Sequence, residues 1–232
     1  MTLAHQILIC NEKSYYLRMK TEIITIKKLK KDGTIDGSIS RKITAALKNG
    51  KTVLMPVDAI YGLVTLMDPR STGTIIKFTG GEVDNLVRMV SSFKMLNEIA
   101  AVNKMEFDFL HRIWPGELIV YLEDIHKKNS AIPIRMPKNK YQQEIIEHVG
   151  RPLVYSALYN SNRSIIYRKK DMVNALDGTV ELLLIVDEFC KEHTLPSVVD
   201  ISKGGLTIVN EGRVSADEIK SLYFLGKDDS LL

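Results

Sequence analysis

Six short apolar runs, "ELIVYLED", "IPIRMP", "PLVYSA", "LLLIV", "SVVDI" and "LTIVN", follow one another between residues 117 and 210. Each is too short to be a buried helix and rich in β-branched residues, so each reads as a strand. Helical patterns lie among them. Tyr141, Ile145 and Val149 share one face of a helix over 139–149 that stops at Gly150, and Ser215 with Glu218 caps a last helix reaching Tyr223.

The first half of the chain mixes elements in the same way. Glu22 to Ile26 and Thr52 to Met55 read as strands, with a turn at Asp32-Gly33. Between them, Ile39, Ile43, Ala46 and Leu47 recur at helical spacing over 38–48, with serines for the cap and Gly50 as the stop. A short helix over 72–78, broken by Gly80-Gly81, precedes a strand over 86–90 and helices over 94–102 and 104–113. Asn103 and Glu106 stand in capping-box spacing at the second of these. The pattern predicts an α/β fold: a single domain over 21–225 with a twisted mixed β-sheet flanked by helices, an N-terminal extension over 1–20 and a tail over 226–232.

Composition supports a packed core, at 45% hydrophobic and 26% charged residues. The apolar run 182–186 is far too short to span a bilayer, so no membrane association is expected. Ile7-Leu8-Ile9-Cys10 lacks the basic flank of a secretory signal. Cys10 and Cys190 form no CxxC pair, which suits a reduced, cytoplasmic setting and argues against a cysteine metal site. The net charge of +4 is uneven: residues 1–51 carry 11 Lys/Arg against 4 Asp/Glu. The run Lys27, Lys28, Lys30 and Lys31 has two readings. It guards a strand edge, or it offers a surface to tRNA or double-stranded RNA.

There is no P-loop, GxGxxG, HExxH or GxSxG, and the five histidines have no metal-ligand spacing. The unusual stretch is "MPVDAIYGLVTLMDP" at 55–69, which places Asp58, Tyr61 and Gly62 inside an apolar strand directly after Pro56. Such residues mark a bulge, a turn or a ligand close to the backbone. Other strand ends also close on polar groups: Arg135-Met136-Pro137, Ser156-Ala157 and Ser197 to Asp200. Together they suit a cleft at gathered strand ends, and Arg135 with Lys77 would make its ligand anionic.

The order of these pieces resembles the YrdC/YciO family, to which threonylcarbamoyl-AMP synthase belongs. "PVDAIYGL" at 56–63, Lys77-Phe78-Thr79, "PGELI" at 115–119, "IPIRMP" at 132–137, "SAL" at 156–158, "SVVD" at 197–200 and "VNEG" at 209–212 stand where that family has PTDTxYGL, KxR, PGPxT, GxRxP, SxN, STxxD and a final Arg-x-Gly strand. The resemblance implies a substrate and nucleotide site formed by Pro56, Asp58, Tyr61, Lys77, Arg135, Ser156 and Ser197. It implies ATP with Mg2+, L-threonine and bicarbonate as ligands, joined into threonylcarbamoyl-AMP for N6-threonylcarbamoyladenosine in tRNA, with no protein-coordinated metal and no covalent nucleophile.

Several family residues are replaced. Val57, Ala59, Thr79, Leu158, Val198 and Asn210 stand where the family has Thr, Thr, Arg, Asn, Thr and Arg, a divergence closer to the YciO-like branch. A triphosphate relies on such guanidiniums. Arg88, Arg112, Arg151 and Asn160 are candidates to replace them. Two functions remain open: a synthase-like nucleotidyltransferase with an eroded site, or a non-catalytic member that binds a nucleotide or RNA.

Overall fold

The computed structural model describes residues 20–57, 60–79, 83–160, 162–191 and 194–225. In chain order the elements are β1 (Glu22–Ile26), α1 (Gly37–Lys48), β2 (Val53–Val57), β3 (Ile60–Leu66), α2 (Pro69–Thr79), β4 (Val87–Met89), α3 (Phe93–Asn97), β5 (Ala100–Ala101) and α4 (Lys104–Ile113). There follow β6 (Ile119–Asp124), β7 (Ala131–Arg135), α5 (Lys140–Val149), β8 (Leu153–Ala157), α6 (Lys169–Leu176), β9 (Leu182–Val186), β10 (Val198–Asp200), β11 (Thr207–Asn210) and α7 (Ala216–Phe224).

All the strands join one sheet in the order β1-β9-β2-β3-β8-β4-β7-β6-β10-β11, with β5 paired to β6. Parallel and antiparallel pairs alternate irregularly along it, so the sheet is mixed. Alternation along β2 and β9 sends side chains into two separate cores. Val53, Met55, Leu182 and Leu184 pack with Ile43 of α1 and Tyr141 and Ile145 of α5. Leu54, Leu183 and Ile185 pack on the other face with Ile75 of α2 and Met172 and Leu176 of α6. Strands buried on both faces lose all alternation in the sequence, hence "LLLIV".

The polar residues inside the stretch 55–69 have a structural explanation. β2 and β3 pair antiparallel without a shift, Val57 opposite Ile60 and Pro56 opposite Tyr61, so the stretch is a hairpin rather than a bulged strand. A Cβ on Gly62 would stand 2.8 Å from Val57 Cγ2 and 3.0 Å from Tyr155 Cδ2, so only glycine lets β3 sit this closely between its neighbours. The Pro56 carbonyl accepts from Tyr141 Oη and from Gln142 Nε2 (2.6 Å), which seats β2 on α5.

Some elements differ from the sequence reading. α1 is capped by Asp36, whose carboxylate accepts the Ser38 N–H at 2.8 Å, rather than by a serine. Asp68 accepts from the amides of Arg70 and Ser71, so α2 begins earlier, at Pro69, a residue suited to a first helical turn. The helix expected over 94–102 ends at Asn97, because Ala100 and Ala101 pair with Asp124 and Glu123 of β6. α6 was not anticipated; it buries only Met172 and Leu176 and has no side-chain cap. The capping box of α4 is present, with Asn103 and Glu106 exchanging bonds of 2.9 and 3.0 Å.

Candidate functional site

Directly paired residues lie on the same face of a sheet. Val87 pairs with Tyr155, Met89 with Arg135, Ile119 with Val198, and Val198 with Asn210. The register thus carries one face across β8, β4, β7, β6, β10 and β11. Val87, Ile119, Tyr155, Val198 and Asn210 floor a cavity of about 280 Å3 on that face. Ser156, Ala157, Asn85 and Ile60 join them, and Tyr159, Leu195 and Pro196 close the wall.

Two further cavities adjoin it. One of about 470 Å3 shares Ile60, Tyr159 and Leu195 and adds Tyr61, Arg163, Tyr167 and Lys191. The other, of about 10 Å3, is the size of a single water; it shares Ile60 and Pro196 and adds Val57, Glu117, Thr194, Arg135 and Arg213. The three make one cleft whose charged lining is mainly basic: Arg135, Arg163, Lys191 and Arg213 against Glu117.

Arg135 is 1% exposed; its guanidinium donates to Tyr155 Oη (3.4 Å) and to the Gly116 carbonyl (3.3 Å). A charge buried so deeply needs such acceptors or an anionic ligand to offset lost hydration. Arg213 Nε lies 3.1 Å from Glu117 Oε2, both partly exposed.

Ser197 holds the strap that carries Arg213. Its buried hydroxyl donates to the Val214 carbonyl (2.6 Å) and accepts the amides of Gly212 (2.9 Å) and Val214 (3.0 Å). A Cβ on Gly212 would fall 2.2 Å from the Leu195 carbonyl, so glycine is required for this close approach. Ser197 therefore shapes the cleft wall from behind. Tyr61 has a similar part. Its hydroxyl donates to the Val186 carbonyl and accepts the Val186 amide, both at 2.9 Å, and burial raises its phenol well above the ordinary value.

Of the residues expected at the site, Ser156, Arg135 and Tyr61 line the cleft, whereas Pro56 and Ser197 support it through hydrogen bonds. Lys77 is exposed in the last turn of α2 and is not among the residues lining these three cavities. Asp58 lies outside the described residues.

The proposed replacements for the lost arginines sit elsewhere. Arg112 donates to the Leu222 carbonyl at 2.9 Å, Asn160 closes its own loop to Ser164, and Arg88 and Arg151 line a different cavity. The cleft's further cations are instead Arg163, Lys191 and Arg213. Arg213 lies three residues beyond Asn210, close enough in sequence that the wall strand could have signalled it. Arg163 and Lys191 lie in loops with no periodicity to mark them.

This fold, an open mixed sheet flanked by helices, is shared with several solved structures. Two structures of Sua5 from P. abyssi superpose over 87% of the chain at 20% identity. One is a doubly substituted variant (TM-score 0.75) and the other is complexed with L-threonine (TM-score 0.73). The chain spans 60% and 61% of the length of these two proteins. E. coli YciO matches at 16% identity and TM-score 0.74, over 86% of this chain and 99% of its own. No curated protein sequence matches. Residues 45–212 match the Sua5/YciO/YrdC family, described as telomere recombination, and the chain belongs to that family. No helix among the described residues is long and apolar enough to cross a membrane.

Proposed function

We propose that the cleft binds an adenine nucleotide together with L-threonine and works as a threonylcarbamoyl-AMP-synthase-like site serving tRNA modification. One observation carries this reading. Ser156, Val198 and Asn210, family positions on three different strands, line a single cavity beside four basic side chains. The P. abyssi Sua5 structure complexed with L-threonine supports threonine as the amino acid.

In this reading Arg163, Lys191 and Arg213 meet the phosphates, and Arg135 fixes the floor beneath them. The reaction forms a bond between a carbamate oxygen and the α-phosphorus and releases pyrophosphate. The protein's contribution is alignment and charge compensation. Mg2+ would travel on the phosphates and neutralise part of their charge.

Binding without catalysis is the second reading, favoured by the neutral Val198 and Asn210 in the floor. Both are tested by one experiment on the full chain, pyrophosphate release from ATP and Mg2+ with and without threonine and bicarbonate. Release that requires both co-substrates supports the synthase-like reading. ATP binding by calorimetry without release supports the second, and absence of both rejects the cleft as a nucleotide site.

A further inference from the structure

The opposite face of the same sheet carries a second cavity, of about 390 Å3, within the range of about 300–1,000 Å3 usual for small-molecule sites. Arg88 pairs in register with Ile134 and Val154, one residue along β4 from Val87, which puts it on the face away from the cleft. Its side chain points into a chamber walled by Met67, Ile99, Ile132 and Pro152, with Asp84, Asp124 and Arg151 among the other lining residues.

Arg88 is 7% exposed, yet among the described residues it forms no salt bridge and a single long hydrogen bond, 3.5 Å to the Leu86 carbonyl. A guanidinium has five N–H donors in a planar fork suited to a carboxylate. Holding a guanidinium partly out of water with so few acceptors is costly, and burial lowers its proton affinity despite the charges of Asp124 and Asp84. An anionic group entering the chamber would remove that cost.

The other charges narrow the ligand. Asp84 is already held by Lys127 at 3.0 Å. Asp124 Oδ1 accepts the His126 amide at 2.8 Å, and its second oxygen accepts no hydrogen bond among the described residues. Two guanidiniums and two carboxylates leave the lining balanced, which disfavours a polyphosphate and suits a molecule carrying both signs. We infer that this cavity binds a small zwitterion of the amino-acid type, its carboxylate on Arg88 and its ammonium on Asp124, between apolar walls that take a short side chain.

Calorimetry on the full chain tests this with the twenty common amino acids singly, acetate for the carboxylate alone and ethylammonium for the cation alone. The expected result is at least one amino acid binding more than tenfold tighter than either fragment. Arg88→Met should weaken that binding by more than tenfold. Asp124→Asn, which keeps the acceptor for the His126 amide, should weaken it too, while any acetate binding stays as tight or tightens because a nearby negative charge is gone. Arg213→Ala, on the other face, should leave it unaltered. The inference would be overturned if no amino acid bound the wild type, if Arg88→Met bound the amino acid equally, or if Arg213→Ala alone lost it, which would place the ligand in the cleft. Acetate binding as tightly as every amino acid would show a mere anion site and overturn it as well.

Discussion

Val198 and Asn210 lie opposite each other on β10 and β11, side by side in the floor of the cleft. They occupy the positions where the resembled family places a threonine and an arginine, so an uncharged pair stands where a phosphate-binding pair is expected. Asn210 Nδ2 turns instead to the Pro196 carbonyl at 3.4 Å. If the cleft binds ATP, Val198→Thr with Asn210→Arg should strengthen it by about tenfold, the equivalent of one charge-assisted hydrogen bond. Pyrophosphate release should rise by a larger factor, since such a donor is worth about 10²–10³ in rate when it meets charge in the transition state. Equal ATP affinity in wild type and double variant, measured by calorimetry, would remove these positions from the phosphate site.

Leu158 does not belong in that restoration. It is 1% exposed and packs with Tyr61, Leu54 and Met172 in the second core, so Leu158→Asn would put an amide among apolar side chains. Thr79, another replaced position, donates to the Ile75 carbonyl at 3.0 Å at the end of α2.

Glu117 restrains the cleft's charge. Its carboxylate is paired with Arg213 at 3.1 Å, and an incoming phosphate would compete for the same guanidinium. Glu117→Gln keeps the shape and removes the competing charge. ATP affinity should then rise several-fold, up to about tenfold. An unchanged dissociation constant would mean that Arg213 does not meet the phosphates.

Ser197→Ala would leave two amides and one carbonyl of the 212–214 strap without their buried partner. The expected loss is about 1–3 kcal/mol, seen as a lower urea midpoint with an unchanged slope. Because the strap carries Arg213, ATP binding should weaken in the same variant. A variant as stable as wild type would show that water replaces the hydroxyl.

The strands were legible because the sheet is buried, and burial writes itself as apolar runs: "LLLIV" became β9 and "PLVYSA" became β8. Helix caps were legible where one side chain satisfies one amide, as at Asn103 and Ser215. α6 was not, since two buried residues in eight leave too faint a period. At the site, strand positions could be aligned by order, and three of them do meet in one cavity. The loop cations Arg163 and Lys191 could not, because only the tertiary fold brings them to the cleft. Ser197 stood out because polar groups at strand ends look alike in sequence, whether they face a ligand or the protein's own backbone, and Pro56 entered only through the family resemblance.

Positive charge gathers in the N-terminal quarter of the chain. Lys27, Lys28, Lys30 and Lys31 are exposed just beyond β1, which forms one end of the sheet. The strand itself offers little protection against pairing with another chain, and charges at its exit suit that guarding role. The same four charges would also attract RNA without reading its sequence. If they do, tRNA binding should be weak and steeply salt-dependent, with a log–log slope that falls by about 0.7–0.9 for each phosphate contact removed. Replacing all four by Gln should flatten the slope and leave ATP binding in the cleft unchanged, because none of them lines it. Fluorescence titration of tRNA at low and moderate salt separates the two roles. No binding even at low salt would leave edge protection as their function, and the Gln variant should then show its defect as self-association in sedimentation experiments.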